Sequence, residues 1–184
     1  MKRASQAAAL TRDIAVFAML GACLEAAKWA LNAVPNVELV TPLIAAYTLV
    51  YRARALIPVY IFVFYEGLTW AGFFTPWFVM YLYVWFVLWA AILLISHHSR
   101  ERTNIFLLML VCGLFGLAFG TLCAPVQAIA YGLPFRRIWA WIVAGLSFDA
   151  VHAVSNVATA VLILPVARTL AFLEQKNPFR KSRV

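Results

Sequence analysis

Apolar runs close to the length of a bilayer crossing dominate this sequence, and a chain carrying several of them cannot close into an ordinary water-soluble globule. Read by apolar length and helix breakers, the runs cover about 14–33, 38–51, 55–72, 77–96, 104–123 and 148–173. An α-helix needs roughly 20 apolar residues to cross the hydrocarbon core. Pro35, Pro58, Pro76, Pro125 and Pro134 punctuate the runs, since proline lacks the N–H that continues a helix. With 65% hydrophobic and 12% charged residues, too little polar surface exists to cover a soluble domain. The expected fold is an all-α integral membrane protein of six transmembrane helices, one domain over 1–184 with basic cytoplasmic tails at 1–12 and 174–184. Residues 124–147 read as a long connection holding a short helix, 136–145, before Gly145 and a Ser147 helix cap. MKRASQAAAL is basic and then alanine-rich with no cleavage site, so no removable leader is expected.

Orientation follows from the positive residues. Lys2, Arg3 and Arg12 precede the first run, Arg52 and Arg54 join the second to the third, and Arg100 and Arg102 join the fourth to the fifth. Arg168, Lys176, Arg180, Lys181 and Arg183 lie toward the chain end, so twelve of the fifteen basic residues fall on one side. The other side holds Arg136 and Arg137, and Lys28 lies within the first run. Cytoplasmic loops are enriched in Lys and Arg, so both termini are expected inside after an even number of crossings. The net charge of +8 thus reports topology, and its placement argues against nucleic acid. Cys23, Cys112 and Cys123 lack metal-type spacing and read as small packing residues.

The last run contains SFDAVHAVSN, in which Asp149, His152 and Asn156 recur at i, i+3 and i+7. A helix places them on one face, and a carboxylate at bilayer depth costs at least about 2.5 kcal/mol. Such groups face a cavity or a partner, so these residues look inward, either to a ligand or to helix-cap and interhelical hydrogen bonds. Glu66, in FYEGLTW, has no local cation and is a candidate for a pocket or a buried hydrogen bond. Glu25 and Lys28, at i and i+3, are expected to form an ion pair within one helix. Glu38, beside Asn36 in the first outer loop, could cap the second helix or touch a ligand, with the cap favoured.

Aromatic residues crowd the outward half, among them Tyr65, Trp70, Phe73, Phe74, Trp77, Trp139 and Trp141. Many belong at the headgroup level. Tyr81, Tyr83 and Trp85 alternate along a helix and cannot all face lipid, so at least one is expected to stack inward against a flat ring. Ala18, Ala22, Ala26 and Ala30 form a smooth ridge on the first helix, and Gly113, Gly116 and Gly120 one on the fifth. Such ridges let helices approach closely; internal packing is favoured for the glycines, while an external partner is equally open for the alanines. Enzyme templates fare badly. Ser155 has no G-x-S-x-G elbow, and His97-His98 lack helical zinc spacing. H-E-x-x-H, C-x-x-C and Walker A sequences do not occur. No catalytic residue, metal or cofactor is expected.

Several segments together resemble the substrate-binding S components of energy-coupling factor (ECF) transporters, which take up vitamins and related micronutrients in prokaryotes. They are AVFAMLGA, PNVELVTPLIAAYTLVY, YEGLTWAGF, MYLYVW, GLFGLAFGTLCA and GLSFDAVHAVSN, and the resemblance covers most of 14–165. Ser147 stands where a proline is expected before Phe148-Asp149. The resemblance implies six helices with both termini inside, in a prokaryotic inner or plasma membrane. It also implies capture of a vitamin-like small molecule at the outer face and toppling on a transmembrane scaffold subunit served by two cytosolic ATPases of an ABC-type module. The family's A-x-x-x-A scaffold contact maps onto Ala18 and Ala22. Its pocket, formed by the first outer loop with helices four, five and six, offers Asn36, Tyr83, Trp85, His152 and Asn156. With Glu66, Trp70 and Asp149 these make up the candidate substrate-contacting set. The alternatives are a proton-coupled secondary carrier using Glu66 or Asp149, and an intramembrane enzyme built on His152 and Asp149.

Overall fold

The computed structural model describes residues 2–71, 73–97 and 104–177, without the side chains of 2–5, 70, 71, 97 and 135. Arg100, Arg102, Arg180, Lys181 and Arg183 lie outside the described residues. The described chain is helical and has no strands: α1 (Lys2–Ala30), α2 (Val40–Tyr51), α3 (Leu56–Glu66), α4 (Pro76–His97), α5 (Ile105–Ala130), α6 (Phe135–Thr159) and α7 (Ile163–Gln175). Short 3-10 turns, Arg52–Ala55 and Ala160–Leu162, link α2 to α3 and α6 to α7, and a π-turn, Gly67–Ala71, follows α3. Among the described residues five helical runs are long and apolar enough to cross a membrane: Gln6–Ala30, Val40–Thr69, Pro76–Ser96, Ile105–Ala130 and Arg136–Gln175. That is the mark of a multi-pass membrane protein.

The core is built from one stripe of each helix. Phe17, Leu20 and Leu24 of α1, Ile44, Ala45 and Tyr47 of α2, and Val59, Phe62 and Val63 of α3 meet Met80, Val84, Leu88 and Ile92 of α4. Leu108, Cys112 and Phe115 of α5 with Ala160 and Ile163 close the cluster. Gly21 lets α1 approach α3, for a Cβ there would come within 2.6 Å of Ile61. Ala18, Ala22, Ala26 and Ala30 point the other way and are exposed. Of the cysteines, Cys112 and Cys123 are buried and Cys23 is exposed.

The structure corrects three expectations about elements. Helix α1 begins at Lys2, so residues expected as a tail are helical. Helix α5 continues through Pro125 to Ala130 and α6 starts at Phe135, which shrinks the expected connection over 124–147 to the turn 131–134. That turn is a Schellman ending: Gly132 takes φ 57, while Leu133 N–H bonds the Ala128 carbonyl at 2.9 Å and Gly132 N–H that of Ile129 at 3.3 Å. Gly145, Ser147 and Asp149 therefore sit inside α6, and neither Ser147 nor Asp149 caps a helix start. The physical reason is the long pairing of α5 with α6. A Cβ on Gly113 would meet Val157, one on Gly116 would meet Ala153 and one on Gly120 would meet Asp149; such packing overrides a local break signal.

The two interior glycine environments give opposite predictions. A Cβ on Gly116 would lie 2.8 Å from the Ala153 backbone nitrogen, whereas one on Gly145 meets nothing within 4 Å. Gly116→Ala is expected to destabilise by about 1–3 kcal/mol through overpacking. Gly145→Ala should stabilise by up to about 1 kcal/mol through helix propensity. Thermal unfolding in detergent checks both signs.

Polar contacts sort to the two ends of the bundle. At one end Arg12 pairs with Glu174 at 2.9 Å, Arg54 pairs with Asp13, and Arg52 donates to Ser96 Oγ at 2.6 Å. Lys28, Glu38, Glu66 and His152 gather elsewhere.

Candidate small-molecule site

Residues 31–39 link α1 to α2 and form one wall of a cavity of about 300 Å³. The linker is bent by Asn36 at φ 60, a left-handed conformation that asparagine tolerates better than most residues. Glu38 anchors it. One carboxylate oxygen accepts the Thr41 N–H at 2.8 Å, capping the first turn of α2, while the other lies 3.3 Å from His152 Nε2 on α6. The Glu38 backbone N–H donates to Ser155 Oγ at 3.3 Å. The favoured cap is therefore present, and the same side chain also straps the linker to α6.

The remaining walls come from Lys28 and Asn32 after α1's core stripe, Phe62 of α3, Trp77, Tyr81 and Trp85 of α4, Phe119 of α5 and His152. The aromatic rings form a continuous panel. Tyr81 and Trp85 have centroids 5.5 Å apart, Trp85 and Phe119 6.0 Å, and Phe119 and His152 4.9 Å, spacings typical of edge and tilted ring contacts. Trp85 is 3% exposed, and its indole N–H has no partner among the described residues. An unsatisfied buried donor costs about 1–3 kcal/mol, and this one is enclosed within the panel and not open to the cavity. A panel of flat rings with a polar rim of Lys28, Asn32, Asn36, Glu38 and His152 suits a compact molecule with an aromatic face and a few hydrogen-bonding groups.

Of the sequence-derived candidates, Asn36, Trp85 and His152 come together at this cavity. The other described ones lie elsewhere. Tyr83 donates to the Leu122 carbonyl at 2.6 Å, joining α4 to α5. Asn156, fully buried, donates to the Cys112 carbonyl at 3.2 Å, and Asp149 accepts the Gly120 N–H at 3.0 Å. Both tie α6 to α5. The Trp70 side chain lies outside the described residues, as does His98.

Glu66 takes the buried hydrogen bond that its sequence position left open, and with it the cation expected for Glu25. Its cation is Lys28, reached across the α1–α3 seam, while Glu25 accepts the Trp29 indole N–H at 2.6 Å. The expected Glu25–Lys28 pair is displaced because α3 offers the lysine a buried carboxylate directly opposite. Tyr81 is, with Trp85, one of the inward-stacking aromatics the alternation allows, whereas no motif or local spacing in the sequence singles out Lys28, Phe62 or Phe119 as cavity residues. The depth match between Lys28 near the end of the first run and Glu66 near the end of the third is the signal that could have found Lys28.

Among the described residues no three His, Cys, Asp or Glu side chains form a group able to hold a metal ion. The chain matches no protein-family model, no curated protein and no solved structure.

The Glu38 strap makes its own prediction. Glu38→Ala removes the cap, worth about 1 kcal/mol, and the link to His152. Hydrogen exchange over 31–39 should accelerate while exchange in α4 stays unchanged.

Proposed function

We propose that this chain is the substrate-binding S subunit of an ECF-type importer in a prokaryotic cell membrane. It captures a vitamin-like molecule at the outer face and passes it inward using ATP hydrolysed by partner subunits. The observation that carries the reading is the cavity of about 300 Å³ walled by the 31–39 linker with α4, α5 and α6, the elements that the resemblance associates with capture. Its volume is at the small end of ligand pockets, in keeping with a micronutrient.

Two further features support the reading. The run Val40–Thr69 turns at Arg52, with φ 57 and ψ −125, which divides α2 from α3. Counting α2 and α3 as separate passes gives six, with Arg12, Arg52, Arg54 and Glu174 at the cytoplasmic end. The exposed Ala18 and Ala22 offer a smooth strip for a helix of the scaffold subunit.

The test is the energy source. Vesicles holding the chain with its scaffold and ATPases should accumulate the compound that copurifies with the chain only when ATP is supplied inside. Uptake that persists without the ATPases and collapses when the proton gradient is removed would establish a secondary carrier instead.

A further inference from the structure

Glu25 on α1 and Glu66 at the end of α3 are 9% and 7% exposed, and their carboxyl groups lie against one another. Few donors reach them. Trp29 serves one oxygen of Glu25, and Lys28 serves one oxygen of Glu66. Glu25 Oε2 and Glu66 Oε1 are left buried with no donor among the described residues. Two neighbouring carboxylates thus each present a bare acceptor, an arrangement that repels unless something positive lies between them.

The surrounding charges do not resolve this. Lys28 pairs with Glu66, and its ammonium is 5.5 Å from the centre of the Tyr81 ring on α4. Tyr81 brings a ring and no cation to this cluster. Glu38, the nearest acidic group before α2, is engaged by Thr41 and His152. Two carboxylates and one ammonium sum to −1, and an uncompensated charge is strongly disfavoured on carboxylates this buried.

We propose that Glu25 and Glu66 bind one proton between them, as a carboxylic acid hydrogen-bonded to a carboxylate. The proton comes from water, satisfies both bare oxygens and leaves the seam with no net charge. This site is separate from the ligand cavity and stands whatever that cavity holds, although Lys28 contributes to both.

Infrared spectroscopy of the full chain in lipid nanodiscs at neutral pH tests it, with hydrogen–deuterium exchange to mark protonated carboxyls. The wild type should show the C=O stretch of a protonated carboxyl. That band should vanish in Glu25→Gln and in Glu66→Gln and persist in Asp149→Asn, which removes the other buried acid. Glu25→Gln keeps the shape and lets its amide donate to Glu66, so its near-ultraviolet circular dichroism should match the wild type. Should Glu66→Gln not fold, the Glu25→Gln spectrum decides alone. Absence of the band from the wild type overturns the proposal, as does its survival in Glu25→Gln or its loss in Asp149→Asn only. A wild type that lacks the band but is stabilised by sodium and not by choline would hold a metal cation there, which also overturns it.

Discussion

If the chain serves an importer as proposed, Ala22→Trp is expected to abolish uptake while leaving the fold and the cavity beneath the 31–39 linker intact. Ala22 lies on the exposed strip with Ala18 and Ala26, whereas Gly21 and Leu24 turn inward. A bulky side chain added outside the bundle displaces nothing within it, and such substitutions shift stability by no more than about 0.5 kcal/mol. A partner helix that must approach closely would be held away by an indole, because interhelical contact in lipid depends on close packing of small residues. Ala18→Trp should behave alike. Unfolding temperature, retained ligand and uptake, measured side by side, separate the outcomes. Equal loss of all three would place the strip inside an interface that the bundle itself requires.

Trp85→Ala is the second large effect. Trp85 touches Phe62, Tyr81, Phe115 and Phe119 and is almost wholly buried. Removing it opens a void between α3, α4 and α5, for which about 3–5 kcal/mol of stability is the usual loss. It also removes one ring of the aromatic panel from the cavity wall. Loss of one stacking contact of about 1.5 kcal/mol weakens a ligand roughly tenfold. Trp85→Phe is the milder change. It keeps one flat ring in the panel and loses the rest of the indole, so it should unfold between the wild type and Trp85→Ala and release ligand more readily than the wild type.

The helices were legible from hydrophobic run length, and the ending at Gly132 and Pro134 follows a pattern that sequence carries openly. Pro125, Gly145 and Ser147 carried equally plain break signals and were overridden, because the α5–α6 pairing at Gly113, Gly116 and Gly120 outweighs local propensity. Direction was the harder quantity. The alanine and glycine ridges look alike as spacing, yet one faces outward and the other is packed against α6; only the positions of neighbouring helices distinguish them. The same holds in the last helix. Asp149, His152 and Asn156 share one side of α6, but the first and third spend polar atoms on α5 backbone and His152 alone reaches the cavity. Lys28 chose Glu66 over Glu25 for an equally non-local reason, since spacing along one helix carries no information about what the next helix presents.

Native mass spectrometry of the chain purified from its own membranes tests the central claim most directly. The wild type should carry one small molecule per chain, retained in Ala22→Trp, reduced in Trp85→Phe and lost in Trp85→Ala. A wild type that emerges empty even after incubation with a micronutrient mixture, or a bound molecule held equally well by Trp85→Phe and Trp85→Ala, would contradict capture in the cavity beneath the 31–39 linker.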